Sequence, residues 1–281
     1  MKKELGSVAH QLLNVQPPPL QILWCLFYPP SHPTPVILPS LYWDVSCILT
    51  VHLHRHNTVM LSHLPTVPGL WGLVNNAGIS LPAAPNELLT KQDFVTVLDV
   101  NLLGVIDVTL SLLPLVRKAR GRVVNVSSIC GRVSLFGGGY CISKYGVEAF
   151  SDSLRRELSY FGVKVAMIEP GYFKTAVTSK ERFLKSFLEI WDQSSPEVKE
   201  VCSEKILAVY KKFAEQLEQK YTQDLSLVTN CMEHALIACH PRTHYSAGWD
   251  AKLLYLPMSY MPTFLVDAII YWDSANPAKA L

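Results

Sequence analysis

The sequence predicts an α/β fold in which helices cover both faces of a parallel sheet. From residue 69 onward, short apolar segments of strand length alternate with amphipathic segments of helix length. Such alternation is typical of right-handed βαβ units, which build parallel sheets. Polar or glycine-containing turns follow three of the apolar segments, at the strand ends where sheets of this kind bind ligands.

Apolar spacing places the individual elements in chain order. We expect four strands, at 70–74, 122–126, 163–168 and 244–247. We expect three amphipathic helices, over 93–117, 139–161 and 224–238. A further helix is predicted to begin at Ser195-Pro196-Glu197, which combines a capping residue, a proline at the first position and an acid. The segment 172–223 lies where a substrate lid is expected.

Residues 1–68 differ in composition from the rest of the chain. They are rich in proline and contain no glycine between Gly6 and Gly69. The β-prone run 45–53 is a candidate strand, and the remainder is predicted to be irregular or disordered. We therefore place the domain boundary after residue 68, with the folded α/β unit over 69–281.

The composition argues against some partners and leaves room for others. A formal net charge of +2 gives no basis for a nucleic-acid partner. Seven cysteines without a C-x-x-C pair are typical of a reduced, cytosol-facing protein. A mean hydropathy of +0.19 suits contact with a membrane or an apolar substrate. The apolar run 253–272 contains Asp267 and two prolines, so we interpret it as surface-associated or as a substrate wall rather than a membrane span.

Tyr140 and Lys144 are the most informative residues, because four-residue spacing puts both on one face of the predicted helix. An ammonium and a bound cofactor's positive charge would lower the pKa of a nearby phenol. A phenolate can take a proton from an alcohol while a hydride leaves the carbon. Ser127 and Ser128 lie about a dozen residues upstream. Taken alone, the pair is also compatible with two ordinary surface residues.

Five motifs in a fixed order give the sequence a family resemblance. Residues 69–281 resemble the short-chain dehydrogenase/reductases, most closely the microsomal retinol and hydroxysteroid dehydrogenase branch. The matching stretches are Leu73-Val74-Asn75-Asn76-Ala77-Gly78, Asp99-Val100-Asn101, Val124-Asn125-Val126-Ser127-Ser128, Tyr140-Cys141-Ile142-Ser143-Lys144 and Glu169-Pro170-Gly171. The resemblance implies a partial Rossmann fold, a doubly wound parallel sheet with a helical C-terminal substrate region.

The resemblance also implies catalytic roles. Tyr140 would be the acid/base, and Lys144 would lower its pKa and hold the nicotinamide ribose. Ser128 would hydrogen-bond the substrate oxygen, with Ser127 as the neighbouring candidate. Asn101 would hold a water that links Lys144 to solvent. These roles agree with general acid/base chemistry on a retinoid or steroid alcohol or its carbonyl.

A nicotinamide cofactor follows from the same resemblance, NAD being expected and NADP the alternative. Two groups of residues would hold it, Asn75, Ala77 and Gly78 on the adenosine side and Tyr140, Lys144, Pro170, Gly171 and Thr175 on the nicotinamide side. No metal is expected, because His52, His54 and His56 lack a carboxylate or cysteine to complete a ligand set. Two further features lie close to the site residues in the sequence. We interpret Gly137-Gly138-Gly139 as a flexible run, and Cys130 and Cys141 as buried structural cysteines or, alternatively, as reactive ones.

The family's opening element is missing from the sequence before Gly69. No Gly-rich phosphate turn is present there, although such turns let the backbone approach a pyrophosphate. Residues 1–68 resemble an alternative first exon or translated non-coding sequence. We therefore expect an N-terminally altered isoform without the family's membrane anchor, with poor or no dinucleotide affinity. The alternative function is a catalytically silent isoform that acts, if at all, through subunit interaction.

The family resemblance is the only basis for predicting where the protein is located and what it associates with. The branch implies the endoplasmic reticulum membrane, facing the cytosol, whereas loss of the anchor would make the protein cytoplasmic. Peripheral membrane association and a homodimer formed through helices 93–117 and 139–161 are also expected. An unpaired strand at 70–74 would expose an apolar edge, and only the run 45–53 offers a substitute partner.

Overall fold

The computed structural model describes residues 46–51 and 69–272, apart from 176–177, 203–205, 207–208, 213 and 216–220. The predictions for 1–45 and for 52–68, including the irregular head and the histidine cluster, lie outside the described residues. The domain boundary after residue 68 stays a prediction.

The described residues form a five-stranded parallel sheet, which confirms the predicted fold class. Its strands are β1 (Ser46–Val51), β2 (Gly69–Asn75), β3 (Arg122–Val126), β4 (Lys164–Pro170) and β5 (His244–Ala247). The strands lie side by side in the order β1-β2-β3-β4-β5. Every adjacent pair is parallel, so all five carboxyl ends lie along one edge.

The candidate strand in the N-terminal segment is confirmed by its pairing with β2. The register runs from Ser46 opposite Gly69 to Val51 opposite Asn75, with one irregularity between Cys47 and Ile48. β1 therefore covers the edge of β2 that would otherwise expose unpaired backbone groups.

The predicted helices appear in the predicted order, and the structure adds three that were not predicted, at Lys180–Gln193, Leu256–Met258 and Thr263–Tyr271. The helices are α1 (Lys91–Leu98), α2 (Gly104–Lys118), α3 (Gly139–Leu158), α4 (Lys180–Gln193), α5 (Pro196–Cys202), α6 (Ser226–Ile237), α7 (Leu256–Met258) and α8 (Thr263–Tyr271). The single helix expected over 93–117 is divided by a π turn at Asp99–Leu103. α1 begins at a capping box, in which the side chains and backbone N–H groups of Thr90 and Asp93 bond each other reciprocally.

The glycines before α3 are required by packing rather than flexibility, so that interpretation was wrong. A Cβ atom on Gly137 would lie 2.4 Å from the Ala84 carbonyl oxygen, and Gly138 has a φ of +97°. Few side chains tolerate such a φ. The Gly138 N–H donates to Asn86 Oδ1 at 2.9 Å. These contacts hold the start of α3 in one place.

Two apolar layers enclose the sheet, as the prediction of helices on both faces requires. On one face, α2 and α3 pack on the sheet through residues that include Val108, Leu112 and Leu154. On the other face, α6 packs on it through residues that include Val228 and Leu236. The carboxyl edge of the sheet therefore borders a core that is packed on both faces.

Two segments are relevant to whether the protein contacts a membrane. Taken through the π turn, the helical stretch Lys91–Lys118 is long and apolar enough to cross a membrane by length and composition, and 44% of its apolar window is buried inside the protein. α8 has only nine residues, fewer than the roughly 20 that a span needs. Around it, Leu253, Phe264 and Trp272 expose 76%, 70% and 91% of their surface, so the described residues 253–272 present an exposed apolar surface.

We predict that β1 is required to keep the β2 edge from self-association. Two shortened chains differing by the six residues of β1 test this, one beginning at residue 46 and the other at residue 52. The longer should elute as a defined species, whereas the shorter should aggregate and lose at least about 5 °C in Tm. Size-exclusion chromatography and thermal unfolding measure both. Equal Tm values and elution profiles would contradict the pairing.

Candidate active site

Ser128 and Tyr140 meet where β3 ends and α3 begins. Ser128 is buried, and its Oγ accepts a hydrogen bond from the Cys130 N–H at 3.2 Å, which caps the turn Ile129–Gly131. Its side chain lines one cavity together with that of Tyr140. The structure therefore brings the predicted substrate-binding serine and the predicted acid/base together.

Lys144 lies one turn beyond Tyr140, as the spacing predicted. Its Nζ donates to the Val126 carbonyl at 2.8 Å and lies 5.7 Å from the centroid of the Tyr140 ring. Burial lowers the pKa of Lys144 to about 8, because desolvation disfavours the ammonium. The Gly78 backbone lies beside this side chain, since a Cβ atom there would be in ordinary contact with Nζ, at 3.7 Å.

The pKa of Tyr140 differs from the sequence expectation. Burial is the largest cause and raises it well above the ordinary phenol value, whereas the neighbouring Ser128 side chain acts in the opposite direction. The Lys144 ammonium is directed at the Val126 carbonyl. The protein's own groups therefore do not produce the lowered pKa that the Tyr-Lys spacing suggested.

Asn101 is fully buried in the π turn between α1 and α2. Its Oδ1 accepts from the Ile79 N–H at 2.8 Å, and its Nδ2 donates to the Ile79 carbonyl at 2.8 Å and to Ser143 Oγ at 3.0 Å. These bonds connect α3 to the loop after β2. The predicted role in holding a water stays a prediction.

Asn75 occupies a buried network at the end of β2. Its Nδ2 donates both hydrogens within the protein, to Thr109 Oγ1 at 2.9 Å and to Asn125 Oδ1 at 2.8 Å. This amide group positions strands and helices. Ala77 and Gly78 follow in a half-buried loop, and the predicted adenosine contacts of all three residues stay predictions.

The turn after β4 is shaped by Asp250. Gly171 follows Pro170 and donates its N–H to the Ala247 carbonyl at 2.9 Å. The Asp250 carboxylate accepts from the Tyr172 N–H at 2.7 Å, and a Cβ atom on Gly171 would lie 2.1 Å from its Oδ1. Only glycine fits this approach.

Thr175 lies further along the same loop, where its N–H donates to Thr178 Oγ1 at 3.0 Å. Its predicted contact with the nicotinamide amide is not tested.

A cavity of about 690 Å³, including the part open to solvent, lies beside these residues. Ser128, Tyr140 and Gly171 line it, whereas Lys144 and Asn101 lie behind them. Most of the remaining wall is apolar or aromatic. Sequence reasoning did not single out four aromatic residues in this wall, Phe136, Tyr172, Phe183 and Tyr221. These aromatic residues could have been found from the sequence, because they lie beside the family motifs or in the segment expected to form a substrate lid.

The residues fit one half of a dinucleotide better than the other. On the nicotinamide side, Tyr140, Ser128 and Gly171 border one cavity, and the Gly78 backbone lies beside Lys144. On the pyrophosphate side, β1 ends at Val51 and the sequence that follows contains no glycine before Gly69. A turn that lets backbone N–H groups reach a pyrophosphate needs glycine, so this half does not fit.

A second polar cluster, not predicted from the sequence, lies beneath the site. His244 Nδ1 lies 2.7 Å from Glu169 Oε1 and 3.6 Å from Glu148 Oε2. Ser246 Oγ donates to Glu169 Oε2 at 3.0 Å. The three possible metal ligands lie within 4.8 Å of one another. Burial raises the pKa of Glu148 to about 7, with repulsion from Glu169 as the second cause.

A parallel sheet with a Tyr-Lys pair and a serine at its carboxyl edge defines an α/β oxidoreductase. The chain belongs to the short chain dehydrogenase family, whose sequence model matches residues 51–183. It is 91% identical over 213 residues to retinol dehydrogenase 16 from Homo sapiens, an alignment that spans 76% of this chain and 67% of that protein. It is 54% identical over 214 residues to 17-beta-hydroxysteroid dehydrogenase type 6 from Homo sapiens, with the same coverage of each.

Solved structures confirm the fold. A short-chain dehydrogenase from Streptomyces avermitilis superposes with a TM-score of 0.54 at 22% identity, over 75% of this chain and 71% of that one. A short chain dehydrogenase/reductase from Burkholderia phymatum, solved in complex with NAD, gives 0.55 at 18% identity, over 78% and 73%.

We predict that Glu148→Gln stabilises the protein, and more so at higher pH. The folded state binds the Glu148 proton more tightly than the unfolded state, because its pKa rises from 4.5 to about 7. In the wild-type protein, the contribution of Glu148 to folding stability is therefore fully present below pH 4.5 and is lost as the pH rises through 7. The variant should gain up to roughly 3 kcal/mol over that window.

Urea unfolding at several pH values measures this difference. Glu157→Gln, an exposed position on the same helix α3, is the matched control and should show no such trend. A Glu148→Gln difference that stays constant with pH would contradict the expectation.

Proposed function

We propose that this site interconverts an alcohol and its carbonyl, with a retinoid or hydroxysteroid as substrate and a nicotinamide as hydride carrier. The observation that carries the proposal is that Ser128 and Tyr140 border one largely apolar cavity, with Lys144 a turn behind. The printed names of the similar proteins, a retinol dehydrogenase and a hydroxysteroid dehydrogenase, support the substrate class.

The chain's own residues would act on the substrate oxygen. Ser128 Oγ donates a hydrogen bond to it, and the Tyr140 hydroxyl exchanges a proton with it. Because burial keeps the Tyr140 phenol protonated, the resting site is arranged to give a proton to a carbonyl. Lys144, with a pKa of about 8, remains largely an ammonium at neutral pH and favours the phenolate that forms. A bound nicotinamide supplies or accepts the hydride.

The cofactor side of the proposal rests on the family. NAD is proposed, with NADP as the alternative. Lys144 would hold the nicotinamide ribose, Pro170, Gly171 and Thr175 the nicotinamide amide, and Asn75, Ala77 and Gly78 the adenosine side. Because the pyrophosphate side has no glycine turn, we propose that affinity for the dinucleotide is low.

A second function is favoured by that same missing turn. In it, the chain is a catalytically silent isoform that acts through subunit interaction. Exposed Leu110 on α2 and Ile142 on α3, at 54% and 52%, would belong to a homodimer interface. The exposed apolar surface around α8 supports peripheral association with the endoplasmic reticulum membrane.

We expect Tyr140→Phe to lower any dehydrogenase activity at least about 100-fold, because it removes the only proposed proton donor. Oxidation of retinol or androstanediol with NAD, followed by product chromatography, measures it. Tyr160→Phe is the matched control, since Tyr160 is 90% exposed, and it should leave activity unchanged. Equal rates for the two variants would overturn the role of Tyr140, and an inactive wild-type chain would favour the silent isoform.

We expect isothermal titration to show no NAD binding tighter than the millimolar range. Each missing charged hydrogen bond to the pyrophosphate removes about 1.5–3 kcal/mol. The same titration with NADP tests the alternative cofactor. Micromolar binding of either one would contradict the expected low affinity.

A further inference from the structure

Three ionisable side chains from different elements converge beneath the active site. Glu148 lies in α3, Glu169 near the end of β4 and His244 at the start of β5. His244 Nδ1 lies 2.7 Å from Glu169 Oε1 and 3.6 Å from Glu148 Oε2, and one ligand atom from each residue lies within 4.8 Å of the other two. One imidazole nitrogen and two carboxylate oxygens therefore share a small space between a helix and two strands.

The Glu148 carboxyl is the group that indicates a ligand. Its side chain is 11% exposed, and each of its two oxygens exposes less than 1 Å² and has no hydrogen-bond partner among the described residues. A buried carboxylate normally accepts hydrogen bonds or coordinates a metal ion. A proton on this carboxyl would leave an O–H donor without an acceptor, so neither form is satisfied by hydrogen bonds.

We propose that Glu148, Glu169 and His244 form a binding site for one zinc-type divalent metal ion. Zn²⁺ binds imidazole nitrogen and carboxylate oxygen at about 2.0–2.2 Å and commonly keeps a water beside three protein ligands. Tetrahedral ligands at that distance lie about 3.3–3.5 Å apart. The 3.6 Å between His244 and Glu148 is close to this separation, whereas the 2.7 Å between His244 and Glu169 would have to lengthen slightly.

The ligand types favour zinc over the hard alkaline-earth ions. Imidazole nitrogen suits Zn²⁺ and its transition-metal neighbours, whereas Ca²⁺ takes six to eight oxygen ligands and Mg²⁺ an octahedral set of oxygens. The two carboxylates match the two positive charges of the ion. The site does not depend on the proposed dehydrogenase function.

The surroundings support the ligand set. Ser246 Oγ donates to Glu169 Oε2 at 3.0 Å, which holds this carboxylate while its Oε1 lies next to His244. Hydrogen bonds of this kind orient metal ligands. The His244 side chain is 33% exposed, so a metal ion can enter from the surface on the His244 side.

Arg132 is the described cation that would compete with a metal ion for Glu169. Its Nη1 lies 3.9 Å from Glu169 Oε1, which is too long for a hydrogen bond. Its Nη2 donates to the Tyr260 hydroxyl at 3.0 Å. One arginine at this distance offsets at most one of the two carboxylate charges, so the site still favours a cation.

A metal ion at this position would connect two elements of the active site. Glu148 lies one turn beyond Lys144 in α3, and Glu169 comes two residues before Gly171 at the end of β4. Because the unfolded chain lacks the assembled ligand set, zinc should bind the folded protein preferentially and raise its Tm.

The experiment uses the full-length chain, freed of metal with a chelator and titrated with Zn²⁺. The wild-type protein should bind one zinc ion more than Glu148→Gln or His244→Gln. Its Tm should rise by at least about 5 °C when zinc is about 100-fold above Kd, and the two variants should lose this shift. Glu157→Gln, exposed on the same helix, is the matched control and should keep it. Mg²⁺ should give no shift.

Zinc bound elsewhere on the chain is distinguished by two further measurements. A variant with His52, His54 and His56 all changed to Ala should keep the Tm shift. Co²⁺ in place of Zn²⁺ should give no sulfur-to-metal charge-transfer band for the ion that Glu148→Gln loses, because the proposed ligands include none of the seven cysteines.

Four results would overturn the proposal. They are a wild-type Tm that zinc does not raise, an equal rise in Glu148→Gln, loss of the rise in the triple histidine variant, and a sulfur–cobalt band for the ion in question. The first and last need no substitution, so they decide the question even if a variant fails to fold.

Discussion

The position of the active site depends on one buried pair of amides. Asn75 at the end of β2 donates to Asn125 in β3 at 2.8 Å, and Asn125 Nδ2 donates to Ser151 Oγ in α3 at 2.8 Å. Asn125 and Ser151 are fully buried and Asn75 is nearly so, and an amide left without a partner there would cost about 1–3 kcal/mol. This chain of bonds couples the register of β2 and β3 to the placement of α3. The Tyr140 end of α3 is thereby held at the carboxyl edge of the sheet.

The first strand shows that completing a sheet and binding a cofactor are separate requirements. Pairing with β2 needs only an extended backbone with free N–H and carbonyl groups, which Ser46–Val51 provides. Binding a pyrophosphate needs a sharp turn with several N–H groups aimed at one point, which depends on glycine. A substitute segment can meet the first requirement by β-propensity alone. The second requirement needs particular residues, and the sequence after Val51 lacks them.

The same distinction explains what the sequence could and could not predict. Strands, helices and the meeting of Ser128, Tyr140 and Lys144 follow from local periodicity and motif spacing. The direction of the Tyr140 pKa shift depends on burial by residues far along the chain, so spacing alone suggested the opposite sign. The Glu148, Glu169 and His244 cluster joins a helix to two strands, and Glu169 and His244 are 75 positions apart in the sequence. No local sequence pattern predicts such a contact.

Burial acts on each ionisable group of the site in the direction of the uncharged form. It raises the pKa of Tyr140 and lowers that of Lys144, so an apolar cavity suited to a retinoid or steroid also opposes the charged states of acid/base chemistry. Proton transfer by Tyr140 therefore depends on a neighbour that favours its anion. Lys144 is placed for that role, because its Nζ lies 5.7 Å from the centroid of the Tyr140 ring.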